Sequence, residues 1–262
     1  MRKALLGSAS AVALSCAAAL PAHAASPVYN WTGFYIGGNI GGGVGSSDPS
    51  LIANITAAPF FNTSNLSTPS LSVEGFAGGG QAGYNFQTGN YVYGFETDFT
   101  GMNVRGSNAE SPFFTGKGQP NTVTWSSRYS WLYTARLRAG LTMGGNWLIY
   151  GTGGVAVTSV HDMAMCTSPA TGCGDIGPFS PQSLQWSQTS TLTGVTFGGG
   201  IEGAFLQNWI FGLKVLYAKF PNTSPNYVGI NTAGSGAVPA AFSFDHSLTM
   251  VTFVVDYKFG GP

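Results

Sequence analysis

An all-β fold, an eight-stranded antiparallel up-and-down transmembrane β-barrel, is what three features of this 262-residue chain predict. Segments of period-two alternation recur from Trp31 onward, and their connections alternate between tight turns and long polar stretches. In the segments whose faces separate, every mid-strand charge falls on the face opposite the aromatics. Composition agrees. Only 8% of residues are charged, against about 25% in an ordinary soluble domain. With 44% hydrophobic and 13% aromatic residues, the chain is too apolar to be disordered and suits a sheet wetted by lipid on one face.

The N-terminus reads as an export signal. Arg2 and Lys3 form a basic start, Ala4–Leu20 an apolar run, and Ala22-His23-Ala24 a small-x-small cleavage site. An anchor helix is the alternative reading, but the run stops at Pro21 and is built of small residues. Lipidation at Cys16 fits poorly, since cleavage there would strand an apolar tail. Residues 1–24 are therefore expected to be removed, leaving 25–262 as the barrel. Without Arg2 and Lys3, ten Lys+Arg become eight against ten Asp+Glu, a net charge of −2. That balance argues against nucleic acid as a partner. No stretch after residue 24 offers the about 18 apolar residues of a spanning helix.

The strands are expected at 31–44, 73–86, 91–104, 125–142, 147–160, 188–205, 209–220 and 244–259. Glycine occurs in all but the last of them, which would weaken helices. Between 91 and 99, Tyr91, Tyr93, Phe95 and Phe99 share one parity, and Glu96 and Asp98 the other. Tyr129, Trp131, Tyr133 and Leu137 likewise oppose Arg136 and Arg138. Val195, Phe197, Ile201 and Phe205 oppose Glu202; Trp209, Phe211, Leu213, Val215 and Tyr217 oppose Lys214. The last strand sets Val251, Phe253, Val255, Tyr257 and Phe259 against Asp256 and Lys258. The strand at 147–160 is small and apolar on both faces, so parity leaves it unassigned. A basic residue facing lipid near the bilayer midplane costs about 2–4 kcal/mol, so the aromatic face must be outward.

Short connections fall at 87–90, 144–146 and 207–208, and long ones at about 45–72, 105–124, 161–187 and 221–243. Tight turns at one end and long loops at the other are the pattern of an outer-membrane barrel. Counting from the short turns, Glu96, Arg138, Glu202 and Lys214 all lie roughly 15 Å up, at ~3.3 Å per residue and a tilt near 40°. Asp98 and Arg136 form a second layer. An eight-stranded lumen is just wide enough for side chains to fill. These six residues are expected to make an ion-pair network that plugs it; a narrow selective pore lined by the same ring is the alternative.

Other motifs carry less. Gly78, Gly80 and Gly83, with Asp98 twenty residues past the first, match a dinucleotide fingerprint. That motif needs a helix after the glycines, and here "YNFQTGN" turns back instead. These glycines are expected to leave space for lumen side chains. Cys166 and Cys173 are expected to form a disulfide in an oxidising compartment, with two free thiols as the alternative. No metal site or cofactor is expected. His161 and His246, both near expected outer loops, are read as bystanders rather than as haem ligands or groups of a lipid-modifying enzyme. Phe60-Phe61 and Phe113-Phe114 mark loop contacts or rim packing.

The stretches "WTGFYIGGNIGGG" (31–43), "GGGQAGYNFQTGN" (78–90), "YGFETDF" (93–99), "GGGIEGAFLQNW" (198–209) and "VDYKFGGP" (255–262) resemble the small outer-membrane β-barrel proteins of rhizobial and brucella type. The resemblance implies an eight-stranded, porin-like, surface-exposed antigen of a Gram-negative outer membrane. Its lumen acids on the third and sixth strands would correspond to Glu96, Asp98 and Glu202. The chain departs from that pattern at the seventh strand, where Lys214 and Val215 stand in place of an acid and Tyr. Phe259 is similar to the terminal aromatic read during barrel assembly, with three residues after it. The function expected is therefore a structural, surface-exposed barrel, with a low-conductance porin as the alternative. A secreted sandwich remains the structural alternative. Expected partners are outer-membrane lipid and lipopolysaccharide, and surface partners through the loops, for a monomer rather than an oligomer.

Overall fold

The computed structural model describes residues 29–51, 70–114, 120–167, 184–223, 226–231 and 237–260. The expected signal peptide, Phe60-Phe61 and Cys173 lie outside them. Among the described residues there is no helix. The strands are β1 (Gly33–Leu51), β2 (Leu71–Thr88), β3 (Tyr91–Phe114), β4 (Pro120–Met143), β5 (Trp147–Thr167), β6 (Leu184–Ala204), β7 (Trp209–Thr223), β8 (Asn226–Asn231) and β9 (Ala237–Lys258). Each of β1 to β6 pairs antiparallel with the next, and β9 pairs with both β7 and β1. Eight strands thus close an up-and-down barrel. The short β8 pairs with β9 and touches the tip of β6 at Leu184↔Asn231.

The tight turns at one end need backbone shapes that only glycine adopts freely, and Gly89 (φ 61°) and Gly144 (φ 59°) supply them. Closure is long: β1 and β9 pair from Tyr35↔Lys258 to Leu51↔Phe242. Phe259 then donates its amide to the Phe34 carbonyl (2.8 Å), and the two rings lie 5.7 Å apart.

Side chains alternate as lipid contact demands. Phe34, Ile36, Phe76, Phe95, Phe99, Leu137, Phe197, Leu213 and Phe253 are exposed on the outer wall, while Glu96, Arg138, Glu202 and Lys214 are buried. The strand left unassigned resolves too. On β5, Leu148, Tyr150, Ala156 and Val160 point inward, and Trp147, Ile149 and Val155 outward.

Three expectations need correcting. First, the strands run well beyond their expected ends; β3 and β4 reach 24 residues each, so Phe113-Phe114 lie on β3 rather than in a loop. Polar composition suggested loops there, but a strand that has risen above the bilayer faces water outside and is polar for that reason. Second, Tyr129 is fully buried, not outward. A β-bulge lies between Tyr129 and Trp131, where β4 skips Ser130 in its pairing with β5. Below it the even residues Leu132, Thr134, Arg136 and Arg138 face inward; above it Val123, Trp125, Ser127 and Tyr129 do. Third, Gly78 and Gly80 share the outward parity of Phe76, and only Gly83 of that trio faces the lumen.

The bulge makes a direct prediction. Deleting Ser130 removes the extra residue, so a regular β4 keeps Tyr129 inward and Arg128 outward. The variant should therefore keep the faster-migrating folded band that the wild type shows in unboiled SDS samples, and loss of that band would show that the bulge itself is required.

Candidate functional site

The lumen is where the chain's buried charges meet, and Glu96 is their hub. Its Oε1 accepts from Arg136 Nη2 and from Lys214 Nζ, the latter at 3.0 Å. Its Oε2 accepts from Arg138 Nη1 (3.0 Å) and from the Tyr35 hydroxyl (2.8 Å). Asp98 Oδ2 pairs with Arg136 (2.7 Å) and Lys214 (3.2 Å), and Arg138 reaches on to Glu202 Oε2 at 2.7 Å. The structure therefore brings all six sequence-derived residues together across β3, β4, β6 and β7. The two expected layers merge, because Glu96 sits opposite Arg136 in the β3–β4 ladder.

Neutral side chains complete the arrangement, and these the sequence reading missed. Gln81 accepts from Lys214 Nζ (2.7 Å) and donates its amide to both oxygens of Asp256 (2.8 and 2.9 Å). The Thr134 hydroxyl accepts from Arg136 and donates to Asp98. The Arg138 guanidinium lies 3.8 Å from the centre of the Tyr150 ring, a cation–π contact. Space for the tyrosines comes from glycines opposite them. A Cβ on Gly83 would stand 2.4 Å from the Tyr35 hydroxyl oxygen, and one on Gly200 2.7 Å from that of Tyr150. The signal for Tyr35 and Gln81 was their parity with the polar positions of β1 and β2. For Tyr150 there was none while β5 lacked a face.

The charges are paired, but hydrogen bonding is not complete. Arg136 Nε, Arg138 Nε, Glu202 Oε1 and Tyr150 Oη have no hydrogen-bond partner. Each such group costs about 1–3 kcal/mol, so the network is not simply a stability maximum.

Below the charges the lumen is capped. Tyr29 and Trp31, just before β1, pack with Val92, Leu148, Tyr150, Ala204 and Ile210. The Trp31 amide donates to Gln87 Oε1 at 2.7 Å, and Lys258 Nζ to the Thr32 carbonyl at 3.3 Å. Above the charges lies an apolar layer that includes Ala77, Met102, Val104, Leu132, Leu216 and Met250.

Higher still, His246 corrects the bystander reading: it lies on β9, inside the strand expected at 244–259, and is buried. Its Nδ1 lies 2.9 Å from Ser47 Oγ and 3.0 Å from Tyr129 Oη, and its Nε2 3.3 Å from Asp162, which also accepts from Ser127 (2.5 Å). A hydroxyl–imidazole–carboxylate chain has the parts of a nucleophile relay. Here Ser47 has no exposed surface and the Phe244 ring stacks on the imidazole at 5.8 Å, so the geometry ties β1, β4, β5 and β9 together. His161 instead stays near the outer surface of β5, within 2.9 Å of the Thr189 hydroxyl. Cys166 is disulfide-bonded and buried, while its expected partner Cys173 is outside the described residues. No cluster of metal-ligating side chains occurs among the described residues.

A closed barrel with an apolar exterior and a charged interior is what an outer-membrane family would require. The family model described as "Outer membrane protein beta-barrel domain" matches residues 9–259. The chain belongs to that family. The outer-membrane barrel is also 34% identical over 203 residues to the 31 kDa outer-membrane immunogenic protein of Brucella melitensis biotype 1, covering 74% of this chain and 73% of that one. The 22 kDa outer membrane protein of Rhizobium leguminosarum bv. viciae is 25% identical over 196 residues, covering 74% and 66%. Among solved structures, the outer membrane protease OmpT from Escherichia coli superposes with a TM-score of 0.53 at 7% identity, covering 89% of this chain and 99% of that one. That likeness shows the fold alone. The protein is thus a surface-antigen-like β-barrel of a Gram-negative outer membrane, and its relatives are named as outer-membrane proteins rather than as enzymes.

Removing one member of a buried ion pair leaves the others uncompensated, at about 3–5 kcal/mol. Glu96→Gln should therefore lower stability by that order, and Tyr35→Phe by about 1.5–3 kcal/mol for each of the two hydrogen bonds its hydroxyl makes with charged groups, to Glu96 and from Arg138 Nη1 (2.9 Å). Gly83→Ala, which pushes Tyr35 off Glu96, should act in the same direction as Tyr35→Phe. Urea titration of the folded band on unboiled gels measures all three; an unchanged midpoint for Glu96→Gln would remove it as the hub.

Proposed function

We propose that the barrel is a structural, surface-exposed component of the outer membrane whose lumen is plugged rather than conducting. The observation that carries this reading is the apolar layer directly above the ion-pair network. A hydrated ion moving through would shed water against Val104, Leu132 and Leu216, and would also have to part charges already paired around Glu96. The Tyr29–Trp31 cap closes the opposite end. The immunogenic designation of the Brucella relative supports exposure at the cell surface. Contact with the environment then falls to the connections at the end away from the tight turns.

The second reading, a low-conductance path for small solutes, draws on the polar atoms of Arg138 and Glu202 that lack hydrogen bonds. Planar-bilayer recording separates the two. A plugged barrel gives no unitary current steps in the wild type. Steps whose cation or anion preference changes in Lys214→Ala or Glu96→Ala would transfer the function to diffusion through this ring.

A further inference from the structure

We propose that Arg105 and Arg128 form a clamp on the outer wall for the phosphate group of an outer-leaflet glycolipid, with His161 beside it. The three residues are consecutive in the sheet: Arg105 pairs with Arg128 across β3–β4, and Arg128 with His161 across β4–β5. Both arginines are exposed on the outward face. Arg128 is there only because of the bulge at Ser130; on a regular strand it would share the inward parity of Arg136 and Arg138.

Like charges directly opposite each other on a sheet repel, and a chain with 8% charged residues has little reason to place two arginines so. Arg136, Arg138, Lys214 and Lys219 each have a carboxylate partner. Arg105 and Arg128 have none among the described residues, and Glu74, across from Arg105 on β2, makes no ion pair with it. On another part of the outer face, Lys219 is neutralised by Asp245, so among the described residues of that face the arginines without a carboxylate partner lie on β3 and β4.

Their level identifies the anion. On the same two strands the Phe99 and Trp131 rings stack at 5.8 Å, an interfacial aromatic pair, and the arginines follow immediately on the side away from the tight turns. Acyl chains against Phe99 and Tyr133 bring a headgroup to this height, and two guanidinium forks suit a phosphate flanked by them. A phosphate held in lipid is favoured over one free in solution because the clamp opens sideways from the wall. The site is independent of whether the lumen conducts.

The test uses the full-length mature protein in detergent micelles, with lipid A bearing both phosphates as the probe and native mass spectrometry as the readout. The wild type should retain the lipid, Arg105→Gln/Arg128→Gln should bind it about tenfold or more weakly, and the double Lys variant should keep most of the binding. Phosphate-free lipid A should bind the wild type as weakly as intact lipid A binds the Gln variant. The boiled-versus-unboiled gel shift should be the same in all three proteins, since neither side chain packs inside. Equal binding by wild type and the Gln variant, equal retention of the phosphate-free lipid, or binding of inorganic phosphate alone would each overturn the assignment.

Discussion

The Glu96 carboxylate, held between three cations and a tyrosine hydroxyl, is the interaction on which the rest of the lumen depends. Its position follows from a constraint outside the barrel. Where lipid forms the outer solvent, a charge at mid-height has only the interior to occupy, and there it must find a partner. Arg136 and Arg138 come from the adjoining β4 and Lys214 from the distant β7, so their meeting at one acid fixes the relative height of β3, β4 and β7. Gln81 and Asp256 extend that registration to β2 and β9. A small tube without a thick apolar core thus gains a polar one, and the apolar layer is stacked on top rather than wrapped around it.

Much of this was legible in the sequence because β-structure has an exact period. Parity along 91–99, 129–141 and 195–217 separates lipid-facing aromatics from inward charges, and the six residues so chosen are the ones that meet. Parity fails where the period does. One skipped residue at Ser130 reverses Tyr129 and Arg128, and no composition rule marks a bulge among serines. β5 was opaque for a different reason: its outward glycines and inward Ala156 look alike until neighbouring strands supply the direction.

Strand length was misread, and His246, near the start of an expected strand, was read with the loop beside it. Polarity was equated with loop, whereas the upper barrel is polar outside because it stands in water, while Met102, Val104 and Trp125 continue the inward alternation. His246 belongs to that inward series, sharing parity with Leu248 and Met250. The neutral members of the network escaped notice because Tyr35, Gln81 and Tyr150 advertise no charge; their roles come from the glycine opposite a ring or the lysine opposite an amide.

The cap beneath the network has a temporal meaning. Trp31 precedes the first strand, yet its pocket is assembled from β3, β5, β6 and β7, and Lys258 of the last strand bonds the adjoining Thr32 carbonyl. None of those walls surrounds it while the sheet is open. The indole can settle only after the first and last strands have joined, which makes the segment before β1 a latch that closes behind the finished tube.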